Sequence, residues 1–207
     1  MRTAIVNLFS SLDGFATSYN EDVSWITNNL GDEQAQYGLD QHLAIDTLVL
    51  GRVTYQIMAA YWPSTAGNGK KEQWRSSGEE WSFADRLTDR MNSIPKIVFS
   101  RTLNDEDITW NNARLNKGNP AEEIAKLKRQ ADGDIGIRGS VSLVNSLIKA
   151  GMVDRLRLEV LPVMLGAYGG KPIFEGYDKT DLELIAAATL DSSVAVLDYQ
   201  PAVSSGA

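Results

Sequence analysis

Apolar positions recur along this chain with two different periods, and their alternation predicts the elements. Apolar runs, most of them short and bounded by Gly, Ser or Asn, read as strands at 3–9, 47–50, 96–99, 134–137 and 155–161, with a closing pair at 182–190 and 193–199. Between the early runs, apolar residues recur at helical spacing over 32–45, 54–61, 121–131 and 141–149, with a more polar helical segment at 79–91. Strands alternating with helices predict an α/β sheet that is parallel in its first part. The run "RLRLEVLP" alternates apolar and charged residues, which predicts an antiparallel strand with one wet face and therefore a mixed sheet.

Two helices carry end signals. Before 121–131, Asn119 is placed to cap, Pro120 suits the first turn, Glu122 falls at the capping-box position, and Gly133 follows the end. Ser140 is the expected cap of 141–149, where Val141, Val144, Leu147 and Ile148 share a face and Gly151 stands where a left-handed residue is wanted. Residues 63–78 lack periodicity and read as a mobile loop inside one domain. No repeat or linker divides the chain, so a single domain over 1–200 with a tail at 201–207 is expected.

Composition narrows the function. With 27 acidic and 20 basic side chains the net charge is −7, and no segment concentrates Lys or Arg as a nucleic-acid or membrane footprint would. The absence of cysteine excludes disulfides, thiolate metal sites and a Cys nucleophile, and fits a reducing, cytoplasmic setting. A single histidine, His42, leaves neither a His-rich metal site nor a catalytic triad to be expected. No apolar run reaches the length of a membrane helix, and the first residues read as a strand, so a soluble intracellular protein with no metal is expected.

Ligands of open α/β sheets bind beyond the carboxyl ends of the parallel strands. Three predicted ends share a character: Gly51-Arg52 before a helix capped near Thr54, Ser100-Arg101-Thr102, and Arg138-Gly139-Ser140 before another helix. Gly lets backbone approach a phosphate, a helix N-terminus favours negative charge, and an Arg fork binds phosphate oxygens in pairs. No G-x-G-x-x-G fingerprint or P-loop is present, and Arg stands where a ribose-binding acid would end the second strand. Arg52 and Arg101 would suit the 2′-phosphate of NADP, and the Gly139-Ser140 turn its pyrophosphate.

These residues carry a resemblance. "GRVTY" resembles the G-R-x-T segment of dihydrofolate reductases. Together "SLDG", "GRVTY", "FSRTL" and "GSVSLVNSLIKAGMVDRLRLEVLPVMLGAYGGKPIF" resemble the reductase domain of the bacterial riboflavin-synthesis deaminase/reductase and its free-standing relatives. The resemblance implies a dihydrofolate-reductase-like α/β fold: a mixed, mostly parallel sheet flanked by helices, with C-terminal antiparallel strands. It further implies NADPH as hydride donor and a homodimer. Arg52, Ser100 and Arg101 would then clasp the 2′-phosphate, while Gly51, Thr54 and the turn of Gly139, Ser140, Val141, Ser142 and Leu143 would hold the pyrophosphate. Ser11 to Gly14 would border the nicotinamide. Dihydrofolate reductases usually have Gly-Gly where this chain has Gly139-Ser140, which leaves a cis peptide there open.

Hydride chemistry belongs to such a cofactor, and the protein supplies orientation, dryness and a proton route. Asp13 is the leading acidic candidate, as a proton relay or substrate partner, although Asp before Gly is also an ordinary turn pair. Glu21, Asp22 and Glu175 rank behind it. Trp25, Tyr61, Trp62, Trp74 and Trp81 are candidates for a stacking wall against a planar substrate, with core or dimer contacts as the other reading of Trp25 and Trp62. The expected activity is NADPH-dependent reduction of a small heterocycle of pyrimidine or pterin type. The alternative is a catalytically silent dinucleotide-binding dimer acting as a sensor or structural module.

Overall fold

In the computed structural model, the structure describes residues 1–29, 31–65, 83–176, 179–190 and 193–202. Eight strands form one sheet: β1 (Ala4–Ser11), β2 (Ile45–Gly51), β3 (Lys96–Phe99), β4 (Ala113–Asn116), β5 (Asp134–Arg138), β6 (Arg155–Leu161), β7 (Leu182–Thr189) and β8 (Ala195–Pro201), in the order β4-β3-β2-β5-β1-β6-β8-β7. Six described α-helices accompany them: α1 (Ser24–Thr27), α2 (Asp32–Leu43), α3 (Arg52–Thr65), α4 (Phe83–Ser93), α5 (Pro120–Lys128) and α6 (Val141–Lys149). No described helix is long and apolar enough to cross a membrane. The expected mobile loop lies outside the described residues from 66 onward, and 63–65 continue α3.

Side-chain alternation assigns the two faces. Ala4, Val6, Leu8, Val49, Ile97, Ile135, Ile137, Leu156 and Leu158 point to one face, where Ile124 and Leu127 of α5 and Leu143, Val144 and Leu147 of α6 cover them. Each such buried aliphatic side chain contributes about 1.5–3 kcal/mol. On the opposite face Leu48, Leu50 and Val98 meet Tyr55 of α3 and Met91 of α4. Met152 N–H donates to the Leu147 carbonyl (2.9 Å) and Gly151 N–H to Ile148 (2.9 Å), closing α6 through Gly151 at φ +65°. Asn119 caps α5 by accepting from Ala121 N–H, with Pro120 in the first turn as expected.

One expectation is corrected. β6 runs parallel to β1, with Ile5 opposite Arg155 and Ser11 opposite Leu161, and antiparallel only to β8. Its charged face is not wet, because Arg157 is 9% and Glu159 1% exposed. Alternation reports two faces of different polarity, and here the polar face is covered by α2 and paired with Asp198 rather than solvated. β4 and α1, short and poor in apolar pattern, are additions to the predicted elements.

Candidate functional site

The turns after β2 and β5 interlock. β2 passes into α3 at Gly51-Arg52 without a loop, and β5 passes into α6 through Gly139-Ser140. Gly51 N–H donates to the Ser140 hydroxyl (2.7 Å), which donates to Thr54 Oγ1 (2.7 Å). Gly139 (φ +51°) and Ser140 (φ 55°, ψ 61°) are both left-handed, and the bond between them is trans. A Cβ on Gly139 would stand 2.8 Å from Thr54 side-chain atoms, and one on Gly51 would stand 2.8 Å from Ser140 Oγ, so neither position has room for a side chain. Two helix N-termini on opposite faces of the sheet thereby meet at one point.

Two readings of this turn change. Ser140 occupies the N-cap position but makes no side-chain cap, since its hydroxyl is committed to Gly51 and Thr54. Its carbonyl instead accepts from Leu143 N–H (2.8 Å) and Val144 N–H (3.0 Å). Thr54 is not a cap either, because α3 already starts at Arg52. Val141 and Leu143 bury their side chains, and the first-turn N–H groups of Val141 and Ser142 have no acceptor within the helix.

Gly51 lies opposite Phe99 in the β2–β3 register, which sets Arg52 and Ser100-Arg101 side by side past the strand ends. Arg52 is exposed and reaches its own helix at Gln56 Oε1 (3.0 Å). Ser100 Oγ accepts from Thr102 N–H (3.1 Å) and Leu103 N–H (3.0 Å), shaping the turn that leaves Arg101 exposed. This donor set fits a phosphorylated dinucleotide: unbonded main-chain N–H groups at a helix start, no Cβ at the closest approaches, and two exposed guanidinium groups beside them.

At the end of β1, Ser11 N–H donates to the Phe15 carbonyl (2.9 Å) and Phe15 N–H to Ser11 Oγ (2.9 Å), with Gly14 at φ +87° inside the turn. Asp13 ties this turn to residues 165 and 166. Its carboxylate accepts from Ser11 Oγ (2.7 Å), Gly166 N–H (2.7 Å) and Leu165 N–H (3.1 Å), and these bonds hold its pKa down at about 2. Beyond it Ala16 N–H donates to Lys171 and Gly170 N–H to Thr17, so residues 12–18 and 163–173 are laced together. A Cβ on Gly170 would fall 2.2 Å from the Ser18 carbonyl oxygen, which makes glycine a requirement of the close approach. A surface cavity of about 390 Å³ opens between these segments, lined by Thr17, Glu21, Lys171 and Glu175 among others.

The profile of the RibD C-terminal domain matches residues 2–196. The chain belongs to that family. Protein YyaP of Bacillus subtilis is 32% identical over 200 residues, which is 96% of this chain and 94% of YyaP. A solved riboflavin biosynthesis protein of Shewanella sp. PV-4, itself described as putative, superposes with a TM-score of 0.68 at 19% identity, covering 97% of this chain and 99% of that one. A dihydrofolate reductase of Enterococcus faecalis, solved with NADP(H), superposes with a TM-score of 0.58 at 15% identity over 96% of both chains. At those identities the structures establish the fold, which is that of dihydrofolate reductase. Membership makes the chain a reductase-like protein of the riboflavin-pathway type.

Within this RibD-family domain the other candidates scatter. Trp25 packs with Leu161 and Val194 at the end of β6, whereas Trp62 packs against the cluster of Leu50 and Met91 and stacks edge-on to Tyr61 at 5.1 Å. Trp74 and Trp81 lie outside the described residues. Asp22 is exposed and bonded to Ser18 and Ser24, and Glu175 is exposed, with its carbonyl taking Asn145 Nδ2. His42 is buried, with Nδ1 on the Gly38 carbonyl (2.6 Å), and burial pushes its pKa well below the ordinary 6.5. Among the described residues no cluster fit to hold a metal forms.

Sequence reasoning passed over Asn7, Gln34 and Glu159, and left Arg138 as one strand-end Arg among three. All four are buried together, Gln34 on α2 and the other three beneath it. The signal was available in an Asn inside the apolar run "AIVNLF" and in the charges of "RLRLE", which a solvent-facing reading explained away.

Proposed function

We propose that this protein is an NADPH-dependent reductase that transfers a hydride to a small heterocycle of pyrimidine or pterin type. The observation that carries the reading is the meeting of α3 and α6 N-termini at the Gly51–Ser140–Thr54 interlock, with Arg52 and Arg101 beside it. NADPH, when bound, supplies the hydride; the chain binds, orients and shields. Main-chain N–H groups at 141 and 142 would take the diphosphate, and Arg52, Ser100 and Arg101 the phosphate on the adenosine ribose. The turn from Ser11 to Gly14 would border the nicotinamide, and Asp13, ionised at neutral pH, keeps that turn fastened to Leu165 and Gly166.

Replacing Arg52 and Arg101 together by Ala tests this. The expected outcome by calorimetry is a loss of NADPH affinity of about 30-fold or more with NADH changed several-fold less, since each exposed guanidinium–phosphate contact carries about 1 kcal/mol. Equal losses for both dinucleotides would defeat the assignment. NADPH binding without oxidation across a panel of pyrimidines and pterins would favour the silent dinucleotide-binding module instead.

A homodimer is part of the proposal. β7 is an edge strand exposed along its whole length, and its Leu182, Leu184 and Ile185 are 40%, 51% and 44% exposed. An uncovered apolar edge invites pairing with a like edge, which a second copy of the chain provides.

A further inference from the structure

One row of polar side chains crosses the sheet beneath α2. Strand register sets Arg138 of β5, Asn7 of β1, Arg157 of β6 and Asp198 of β8 side by side, and Glu159 follows two residues along β6. Each of these five residues is 9% exposed or less. α2 rests on the row through polar residues of its own. Gln34 Nε2 donates to Glu159, and Gln41 Oε1 accepts from Arg157 Nη1. Between them Tyr37, whose pKa burial pushes up to about 12, lies in the field of the same charges. Among the described residues no α2 side chain belongs to an apolar cluster.

α2, α5 and α6 are therefore held to the sheet by different means. α5 buries Ile124 and Leu127, and α6 buries Val141, Leu143, Val144 and Leu147, so lifting either would expose aliphatic surface to water. α2 buries Gln34, Leu39 and His42. Lifting it exchanges hydrogen bonds within the protein for hydrogen bonds to water, which is close to an even trade. It also relieves three buried polar atoms that have no partner while α2 is down: Asn7 Oδ1, Gln34 Oε1 and His42 Nε2. The C-terminal end is fastened to α4, because Arg90 donates from Nε to the His42 carbonyl (2.9 Å) and from Nη2 to the Ile45 carbonyl (2.6 Å). Gln34, in the first turn, meets the sheet at Glu159.

We infer that α2 is a hinged cover, which lifts from the sheet as one unit about residues 42–45 and opens a side entrance to the strand ends. The polar contacts give the closed helix a single seat, since each donor has one place to go, and the same contacts make that seat easy to leave. Opening uncovers Arg138, the last residue of β5, and with it the underside of the Gly139-Ser140 turn, whose Gly139 N–H donates to the Asn7 carbonyl (3.3 Å). The inference concerns access, and it stands whether the ligand of that turn is NADPH or another anion.

The test is native-state amide hydrogen exchange on the free protein, read by NMR at rising sub-denaturing urea. The α2 amides run from Ala35, bonded to the Gly31 carbonyl, to Ala44, bonded to that of Asp40. Once lifted, a helix of 12 residues is marginal by itself, so its amides meet water. They are expected to exchange through one shared opening that urea barely changes, about 100-fold or more faster than the amides of α5 and α6, which wait for global unfolding. Val144→Ala, a cavity beneath α6, should speed exchange in α5 and α6 by about tenfold or more and leave α2 at its wild-type rate, because the opened state keeps α6 in place. Gln34→Glu, which sets a second carboxylate against Glu159, should speed α2 by about tenfold. Wild-type α2 exchanging as slowly as α5 and α6, equal acceleration of α2 by Val144→Ala, protection graded from the N-terminal end, or an α2 rate indifferent to Gln34→Glu would each overturn the hinged cover.

Discussion

The two halves of the sheet bury themselves by opposite means. In the half built from β2, β3 and β4, the face toward α3 and α4 is apolar, with Leu48, Leu50, Val98, Met91 and Ile94 all essentially inaccessible. In the half built from β1, β6 and β8, the same face carries Asn7, Arg157, Glu159 and Asp198 beneath α2. At its strand ends the first half leaves Arg52 and Arg101 exposed, whereas the second keeps its charged groups buried and paired. Exposed guanidinium groups suit an anion that arrives from solvent, whereas a buried polar network fixes how the strands and the helix over them pack.

The largest effect is expected at the turn after β5, where it locks against the first half. Gly139→Val puts a β-branched residue at φ +51° and against Thr54, and should cost about 2–4 kcal/mol in chemical denaturation together with NADPH binding. Substituting Arg52 and Arg101, both exposed, should keep the fold while lowering NADPH affinity several-fold more than NADH affinity in calorimetry. A substitution at the far edge, Leu184→Lys, should turn a dimer into a monomer by light scattering without unfolding it, because the side chain is half exposed.

Smaller effects are expected with pH. Asp13 is fully exposed, and its pKa falls from the ordinary 3.8 to about 2 on folding. Its contribution is therefore complete above the unfolded value and disappears as pH drops from about 4 toward 2. Asp13→Asn should be less stable than wild type at neutral pH, and the two denaturation curves should converge in that acid window. His42 lies buried on α2. Held neutral by burial and by Arg138 and Arg90, it should show no protonation near its ordinary 6.5 in an imidazole NMR titration. Since the unfolded chain binds that proton and the folded chain does not, stability should decline as pH falls below about 6.5, by up to about 1.4 kcal/mol per pH unit.

Much of this was legible from local pattern. β3, β6 and α6 begin and end at the predicted residues, because each has a clear apolar pattern and punctuating residues at its borders, Pro95 and Ser100, Asp154 and Pro162, and Ser140 and Gly151. Asn119-Pro120 and Gly151 acted as their chemistry requires. Less was legible at the candidate site. Ser140 read as a cap because Ser commonly caps, and nothing local indicated that its hydroxyl would be claimed by Gly51 and Thr54, 89 and 86 residues away. Arg52 and Arg101 read as a pair because strand ends align, and the β2–β3 register bears out that adjacency.

By itself the sequence determined the elements, their α/β order and the family, since those follow from periodicity and from motifs carried within single segments. Tertiary structure alone decided that the charged side of β6 is interior, that β6 runs parallel to β1, and that an Asn, a Gln, an Arg and a Glu from four elements share one buried place. The reason is physical: alternation along a strand distinguishes its two faces, but whether a polar face meets water or another polar surface depends on which helix the chain lays over it.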